Sequence, residues 1–174
     1  MFNGVGDWNQ LLADVDGDGR KDVVYIDVAD QEKTWSAAAS LNLGAGGFAD
    51  PVFSTINTDG TGVYADALGD FHGNGQLDLI IVTGGGPDPS GVSIMQNLGG
   101  GKFGPPSMVF PTSGAYNVFA ADLNKDGKQD LLVFDVLNPG VNPTWFWHSD
   151  LAQYGGLSWP TLGQCGLYPV SQWI

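Results

Sequence analysis

Basic residues are scarce in this sequence. Six Lys and Arg stand against 19 Asp and Glu, so the formal net charge is −13 at pH 7. A chain this acidic is repelled by phosphate backbones and by anionic lipid headgroups, which argues against nucleic acid and membrane surfaces as partners. The same charge favours cations as ligands, unless the acidic side chains are only solvated surface.

Several other features are missing, and each absence argues against a class of protein. The single cysteine, Cys165, excludes a disulfide within the chain. No apolar run approaches the ~18 residues of a membrane span, and the N-terminal segment lacks the basic and apolar regions of a signal peptide. Neither G-x-S-x-G nor H-E-x-x-H occurs, and His72 and His148 are the only histidines. We therefore expect a protein that is not an enzyme.

Glycine, proline and a repeated acidic loop are what the sequence has in abundance. The 27 glycines and 10 prolines are typical of a fold with many tight turns. The segment DVDGDGRKD at 14–22 recurs as DFHGNGQLD at 70–78 and as DLNKDGKQD at 122–130. An apolar run follows each copy, and LNLGAGGFADP at 41–51 matches QNLGGGKFGPP at 96–106. The chain is therefore built from internal repeats.

Each repeat has the pattern of four short strands, because runs of Val, Ile, Leu and Phe alternate with Gly, Pro, Asn and Asp. In the second repeat the expected strands cover roughly 63–69, 77–83, 91–97 and 103–110. Four strands in a repeat of about 50 residues are typical of propeller blades. The sequence thus predicts an all-β fold of three four-stranded β-propeller blades in a single module, 1–174. The expected repeats are approximately 4–59, 60–111 and 112–165, with 166–174 as the first strand of a further blade.

The acidic loops have the spacing of calcium sites. Ca²⁺ takes about 6–8 oxygen ligands, and every second side chain of such a loop can point inward. Positions 1, 3, 5 and 9 would supply side-chain oxygens, position 7 its backbone carbonyl, and the glycine at position 6 the sharp turn. The predicted ligands are Asp14, Asp16, Asp18, Arg20 and Asp22 in the first loop; Asp70, Asn74, Gln76 and Asp78 in the second; and Asp122, Asn124, Asp126, Lys128 and Asp130 in the third.

Two of the three calcium sites are expected to be strong and the second weaker. His72 stands at position 3 of the second loop, where it offers a nitrogen to an ion that prefers oxygen. One alternative is three solvated Asx turns that need no metal, although three copies in register disfavour it. Another is the EF-hand, which needs Glu at position 12. The residues at that position are Tyr25, Ile81 and Val133, inside apolar runs.

Together, the acidic loops and the G-x-G-x-F stretches resemble the FG-GAP, or VCBS, repeats of integrin-α-type β-propellers. The resemblance covers nearly the whole chain. It implies that each loop joins the first and second strands of its blade and that the metal is structural. Three blades do not close a propeller, since closed rings have about 4–8. We therefore expect further blades, either from a longer parent chain or from a second copy that gives six in all.

Aromatic residues are the candidate ligand contacts, because an aromatic ring exposed on a rigid β scaffold can stack on a sugar or anchor a protein. The alternative is that these aromatic residues belong to the hydrophobic core. The candidates are Trp8, Tyr64, Tyr116, Trp145 and Trp147.

The expected function is a calcium-stabilised binding module that recognises carbohydrate or a protein partner. We expect an extracellular or periplasmic setting, because cytosolic calcium is too scarce for ordinary sites of this kind. The alternatives are an accessory propeller of a larger secreted polysaccharide-active enzyme, and a structural or assembly part of a toxin or surface complex.

Overall fold

The described part of the chain is built from strands alone. The structure, a computed structural model, describes residues 10–29, 33–57, 59–84, 91–111, 115–122 and 129–135. The strands are β1 (Gln10–Ala13), β2 (Asp22–Ala29), β3 (Thr34–Ser40), β4 (Asn42–Gly44), β5 (Gly47–Phe48), β6 (Val52–Asn57), β7 (Gly62–Gly69), β8 (Asp78–Gly84), β9 (Gly91–Met95), β10 (Ser107–Pro111), β11 (Ala115–Ala121) and β12 (Asp130–Asp135). The predicted all-β fold is confirmed. Within these ranges no helix is long and apolar enough to cross a membrane.

The strands form two four-stranded antiparallel sheets in the order expected for propeller blades. Blade one has the order β1-β2-β3-β6, and blade two has the order β7-β8-β9-β10. β11 and β12 pair with each other and begin blade three. Blade two uses four consecutive strands, and blade one does the same except that a hairpin separates its third and fourth strands. The short β4–β5 hairpin lies between β3 and β6 in blade one.

Blade two matches the expected strands closely, with one difference. Its last strand starts at Ser107 rather than at 103. Residues 97–103 form a tight turn, in which Asn97 pairs with Phe103 and the Leu98 N–H donates to the Lys102 carbonyl at 2.8 Å. The turn uses glycines at positive φ, which the strand-like apolar pattern around Phe103 did not reveal.

Within the described residues the core consists of two layers, one on each side of blade two. Leu79 and Ile81 of β8 belong to a cluster with residues of blade one, such as Val24. Ile80 and Val82 belong to a second cluster, which includes residues of blade three. Because side chains alternate along a strand, β8 is covered on both faces, and this explains its continuous apolar run. The two outer blades each present one face to blade two.

The expected repeat bounds stay a prediction, since much of the third repeat and the segment 166–174 lie outside the described residues.

Candidate metal centre

The acidic loops join the first and second strands of their blades, as the resemblance implied. Loop one, 14–21, connects β1 to β2, and loop two, 70–77, connects β7 to β8. Loop three, 122–129, connects β11 to β12. In each case the position-9 aspartate is the first residue of the second strand.

Loop one brings three carboxylates together at the protein surface. Oxygen atoms of Asp14, Asp16 and Asp18 all lie within 4.8 Å of one another. Asp14 is partly buried, whereas Asp16 and Asp18 are exposed. These residues occupy positions 1, 3 and 5, so the alternating pattern of the sequence does place its side chains on one side of the loop.

Backbone N–H groups hold Asp14 in place. Its Oδ1 accepts hydrogen bonds from Gly17 N at 2.7 Å and Asp18 N at 3.1 Å, and its Oδ2 accepts one from Gly19 N at 2.7 Å. The bond from Gly19 is the main reason that the pKa of Asp14 lies below its ordinary value. Gly19 has φ +85°, a conformation that favours glycine and allows its N–H to turn inward. Asp14 therefore keeps its negative charge at neutral pH.

The other side chains of loop one stiffen it further. Asp16 Oδ1 accepts a hydrogen bond from Asp18 N at 3.1 Å, and Asp18 Oδ1 accepts one from Arg20 N at 2.8 Å. The Arg20 guanidinium forms an ion pair with Asp18 and donates through Nε to the Asn42 carbonyl at 2.7 Å. Arg20 was predicted only as a backbone ligand. Its side chain also ties the loop to the β4–β5 hairpin.

The position-9 aspartates of loops one and two connect each of these loops to the glycine-rich turn of the same blade. Asp22 is fully buried, and its two oxygens accept hydrogen bonds from Val15 N at 2.9 Å and Asn42 N at 2.8 Å. Asp78, equally buried, accepts from Phe71 N at 3.1 Å and Asn97 N at 2.9 Å. A carboxylate has about four lone-pair sites, so these two hydrogen bonds leave lone pairs that a metal could use. Metal ligation by Asp22 and Asp78 stays a prediction.

This linking role was missed by the sequence reasoning, although a signal for it exists. Both repeats carry an asparagine before the first glycine of the G-x-G-x-F stretch, about twenty residues after the position-9 aspartate. A pair of polar residues repeated at that distance, on either side of an apolar strand pair, indicates a mutual contact.

Loop two shares the backbone bonds to the first aspartate from positions 5 and 6, and the bond from position 7 to position 5, but has a different group at position 3. Asp70 accepts hydrogen bonds from Asn74 N at 3.1 Å and Gly75 N at 2.7 Å, and Asn74 Oδ1 accepts one from Gln76 N at 2.9 Å. His72 Nδ1 lies 2.7 Å from Asp78 Oδ2. The histidine therefore contacts the carboxylate that was predicted to close the metal site.

Loop three is described only at its two ends. Asp122 begins it, and Asp130, at the start of β12, is buried like Asp22 and Asp78. The predicted ligands Asn124, Asp126 and Lys128 lie outside the described residues.

The donor sets of loops one and two fit calcium differently. Loop one offers carboxylate oxygens at positions 1, 3 and 5, which suits a hard cation such as Ca²⁺. Loop two replaces the middle carboxylate with an imidazole that is directed at Asp78, and the carboxylate at position 5 with the amide of Asn74. Loop one therefore has the oxygen ligands that could hold a metal ion. Loop two lacks the oxygen at position 3, and its His72 contacts the closing carboxylate, Asp78.

Tyr64 is the one candidate ligand contact whose side chain is described. It lies in β7, and its side chain is 59% exposed. The β7–β8 register shifts between Val63 and Ala65, so Tyr64 occupies a β-bulge. A bulge turns a side chain out of the regular alternation, and this is a feature that periodicity alone does not predict. The side chains of Trp8, Tyr116, Trp145 and Trp147 lie outside the described part of the chain.

The comparisons with known proteins agree with the repeat pattern. The model of the FG-GAP-like repeat matches the chain twice, at residues 14–81 and 70–133. Each match begins at the first aspartate of an acidic loop and extends into the second strand of the next blade. A search of curated protein sequences gave no match.

Proposed function

The chain belongs to the FG-GAP-like repeat family, and on this basis we propose that it is a calcium-stabilised binding module that recognises carbohydrate or a protein partner outside the cell. Repeats of this family often bind calcium, are typical of extracellular proteins and usually form non-catalytic binding or structural modules. The proposal assigns the metal a structural role, with recognition on a separate surface.

The carboxylate group of loop one is the observation that carries the calcium part of the proposal. Three side chains with the same charge lie within 4.8 Å of one another. Two unit charges 4 Å apart repel each other by about 1 kcal/mol even in bulk water. A divalent cation among them replaces this repulsion with attraction. Because such an ion binds only the folded loop, its binding free energy stabilises the fold.

The loop is connected to the rest of the protein in a way that suits a structural metal. Asp22 ties the loop to Asn42 in the β4–β5 hairpin, and Asn97 of blade two donates to the Val15 carbonyl inside the loop at 2.8 Å. An ion that fixes residues 14–18 therefore also fixes the junction between blades one and two.

The exposed ring of Tyr64 supports ligand recognition at β7, the first strand of blade two. The ring is carried by a strand of a four-stranded sheet, so little conformational entropy is lost when a ligand packs against it. A flat ring with a hydroxyl group suits both the apolar face of a sugar and its hydroxyl edge. Tyr64 is therefore the residue through which we expect ligand contact.

A glycan array tests the recognition part of the proposal. We expect the calcium-loaded protein to bind a defined set of glycans, Tyr64→Ala to lose this binding, and Tyr64→Phe to keep most of it because the ring remains. Circular dichroism establishes that both variants are folded. If the calcium-loaded protein binds no glycan, the ligand is not a carbohydrate. If Tyr64→Ala binds as well as the wild type, the surface around Tyr64 is not the site.

A further inference from the structure

The side chain of Asn97 contacts loop one and loop two at the same time. It follows β9 in the glycine-rich turn of blade two and is buried. One of its Nδ2 hydrogen bonds goes to the Leu77 carbonyl at 3.0 Å, immediately before the closing aspartate of loop two. The other goes to the Val15 carbonyl at 2.8 Å, inside loop one on the neighbouring blade. A side-chain amide has two N–H donors, so each loop receives one of them.

The other polar groups of Asn97 hold it in this position. Its backbone N–H donates to Asp78 Oδ1 at 2.9 Å, and its Oδ1 accepts a hydrogen bond from Gly99 N at 2.8 Å. The side chain is therefore fixed at the base of loop two. Because a buried polar group that loses its partner is costly, the Val15 carbonyl and the Asn97 amide restrain each other.

Val15 is the residue through which loop one reaches this amide. It is buried between two of the three clustered carboxylates, those of Asp14 and Asp16. Its N–H donates to Asp22 Oδ2 at 2.9 Å, so both of its backbone polar groups are held. A cation bound by Asp14 and Asp16 restrains the backbone between them, and with it the carbonyl that Asn97 contacts.

Asn42 shows the same arrangement without the second connection. It is the counterpart of Asn97 in blade one, where its N–H donates to Asp22 at 2.8 Å and its Nδ2 to the Lys21 carbonyl at 3.0 Å. These bonds repeat those that Asn97 makes to the closing aspartate of loop two and to the residue before it. Among the described residues, no hydrogen bond joins Asn42 to loop two. The bond to Val15 is thus what distinguishes Asn97.

We propose that Asn97 couples the two loops, so that loop one with calcium bound also holds loop two against local opening. This inference rests on the calcium site proposed above for loop one. The coupling is reciprocal, so a closed loop two also favours the conformation of loop one that binds the ion. Loop two, in which His72 contacts Asp78, thereby gains stability from an ion that it need not bind itself.

Amide hydrogen exchange measured by NMR, with and without calcium, tests the coupling. The N–H groups of Gly17 and Gly19 report on loop one, and those of Phe71 and Gly75 on loop two, because each donates to a carboxylate of its loop or blade. In the wild type, calcium is expected to raise the protection of loop two by about 2- to 10-fold, the equivalent of one hydrogen bond. Ile80, buried in β8, reports global opening, and its change is divided out.

Three variants identify the connection. Asn97→Ser removes it, because a hydroxyl has one donor and cannot serve both carbonyls; calcium should then protect loop one and leave loop two unchanged. Asn42→Ser is the matched control, which loses the equivalent amide in blade one and should keep the calcium-dependent protection of loop two. Asp16→His removes a carboxylate of the loop-one cluster and should lose the protection of both loops.

The outcomes separate this inference from the calcium site on which it rests. If calcium protects neither loop in the wild type, loop one is not a calcium site and the coupling is wrong as well. If only loop one is protected, the site stands and the coupling is wrong. If loop two is still protected in Asn97→Ser or in Asp16→His, the effect of calcium does not pass through Asn97.

A measurement on the wild type alone replaces the Asn97→Ser arm should that variant fail to fold. The exchange of the Asn97 side-chain amide protons is followed directly, and calcium is expected to slow it because the bond to the Val15 carbonyl is held more firmly. An exchange rate that calcium leaves unchanged contradicts the coupling.

Discussion

Loop one and loop two share the hydrogen bonds of the first aspartate but differ in their side chains, above all at positions 3 and 5, where loop two has His72 and Asn74 in place of Asp16 and Asp18. In both, the first aspartate accepts hydrogen bonds from the N–H groups at positions 5 and 6, at 3.1 and 2.7 Å. Position 3 is Asp16 in loop one and His72 in loop two. The loop conformation therefore follows from the chain itself, through the first aspartate and the glycine at position 6.

The closing carboxylates show what the exchange at position 3 changes. Asp22 accepts two backbone hydrogen bonds, one on each oxygen. Asp78 accepts the same two and a third from His72, and so keeps one fewer lone pair for a metal. In loop two, a hydrogen bond from His72 fixes position 3 against the closing aspartate. In loop one, we propose that a metal ion fixes position 3 instead. We propose that the residue at position 3 decides whether a loop is stabilised by a metal ion or by a hydrogen bond to its closing aspartate.

The largest effect is expected from the feature that both loops share. Asp22→Ala and Asp78→Ala each leave two backbone N–H groups, buried or partly buried, without their charged acceptor. Hydrogen bonds to charged groups contribute about 1.5–3 kcal/mol each, so each variant is expected to lose at least about 3 kcal/mol. Urea unfolding in EDTA measures the loss without a contribution from the metal. Asp50→Ala, at an exposed position, is the control and should change stability by less than about 0.5 kcal/mol. Losses below about 1 kcal/mol in both variants would contradict the linking role.

Removal of calcium from the wild type should give the next largest effect. When the free calcium concentration is about one hundred times the Kd, binding stabilises the fold by about 2.7 kcal/mol per site. For a chain of this length that corresponds to a fall in Tm of roughly 5–10 °C in excess EDTA. Thermal melts in calcium and in EDTA measure the difference. An identical Tm in both buffers would remove the structural role of calcium.

Placing the position-3 residue of loop two into loop one should abolish much of that shift. Asp16→His removes one of the three clustered carboxylates and places an imidazole where His72 stands in loop two. We expect the calcium-dependent stabilisation to fall by about 1–3 kcal/mol, measured as the difference between unfolding curves in calcium and EDTA. Asp50→Asn loses the same charge outside the loop and should keep the full difference.

The reverse exchange, His72→Asp, should have the smallest effect, with a sign that depends on calcium. Without the ion, the variant loses the bond to Asp78 and gains a negative charge, which should cost about 1 kcal/mol. With the ion, the new carboxylate supplies the position-3 oxygen that loop one has, while position 5 stays Asn74, and the variant should recover at least that amount. Stability that falls equally in both buffers would show that an oxygen at position 3 is not enough to make a site.

Much of the fold follows from sequence spacing, because the repeats fix it locally. Three acidic loops followed by apolar runs predict three strand pairs, and the position of each loop between the first two strands is confirmed. Local pattern cannot reveal contacts made at a distance. The bond from Asp22 to Asn42 spans twenty residues, and it exists only because the hairpin folds back onto the loop.

The departures within the repeats were harder to predict. The histidine at position 3 was recognisable as a poor calcium ligand, but its contact with Asp78 depends on a ring orientation that spacing does not specify. The bulge that exposes Tyr64 is a shift of one residue in register, to which an alternating pattern is insensitive. The sequence therefore indicated which side chain differs between the loops, but it did not indicate where the side chains of His72 and Tyr64 point.

Calcium titration calorimetry on three proteins tests the central claim most directly. The wild type, Asp16→His and His72→Asp are each stripped of metal and titrated with Ca²⁺ under the same conditions. We expect Asp16→His to bind one calcium ion fewer than the wild type with high affinity, and His72→Asp to bind one more. The same stoichiometry in all three proteins, or no binding heat in the wild type, would contradict the account of loop one as a calcium site and of loop two as its histidine-held counterpart.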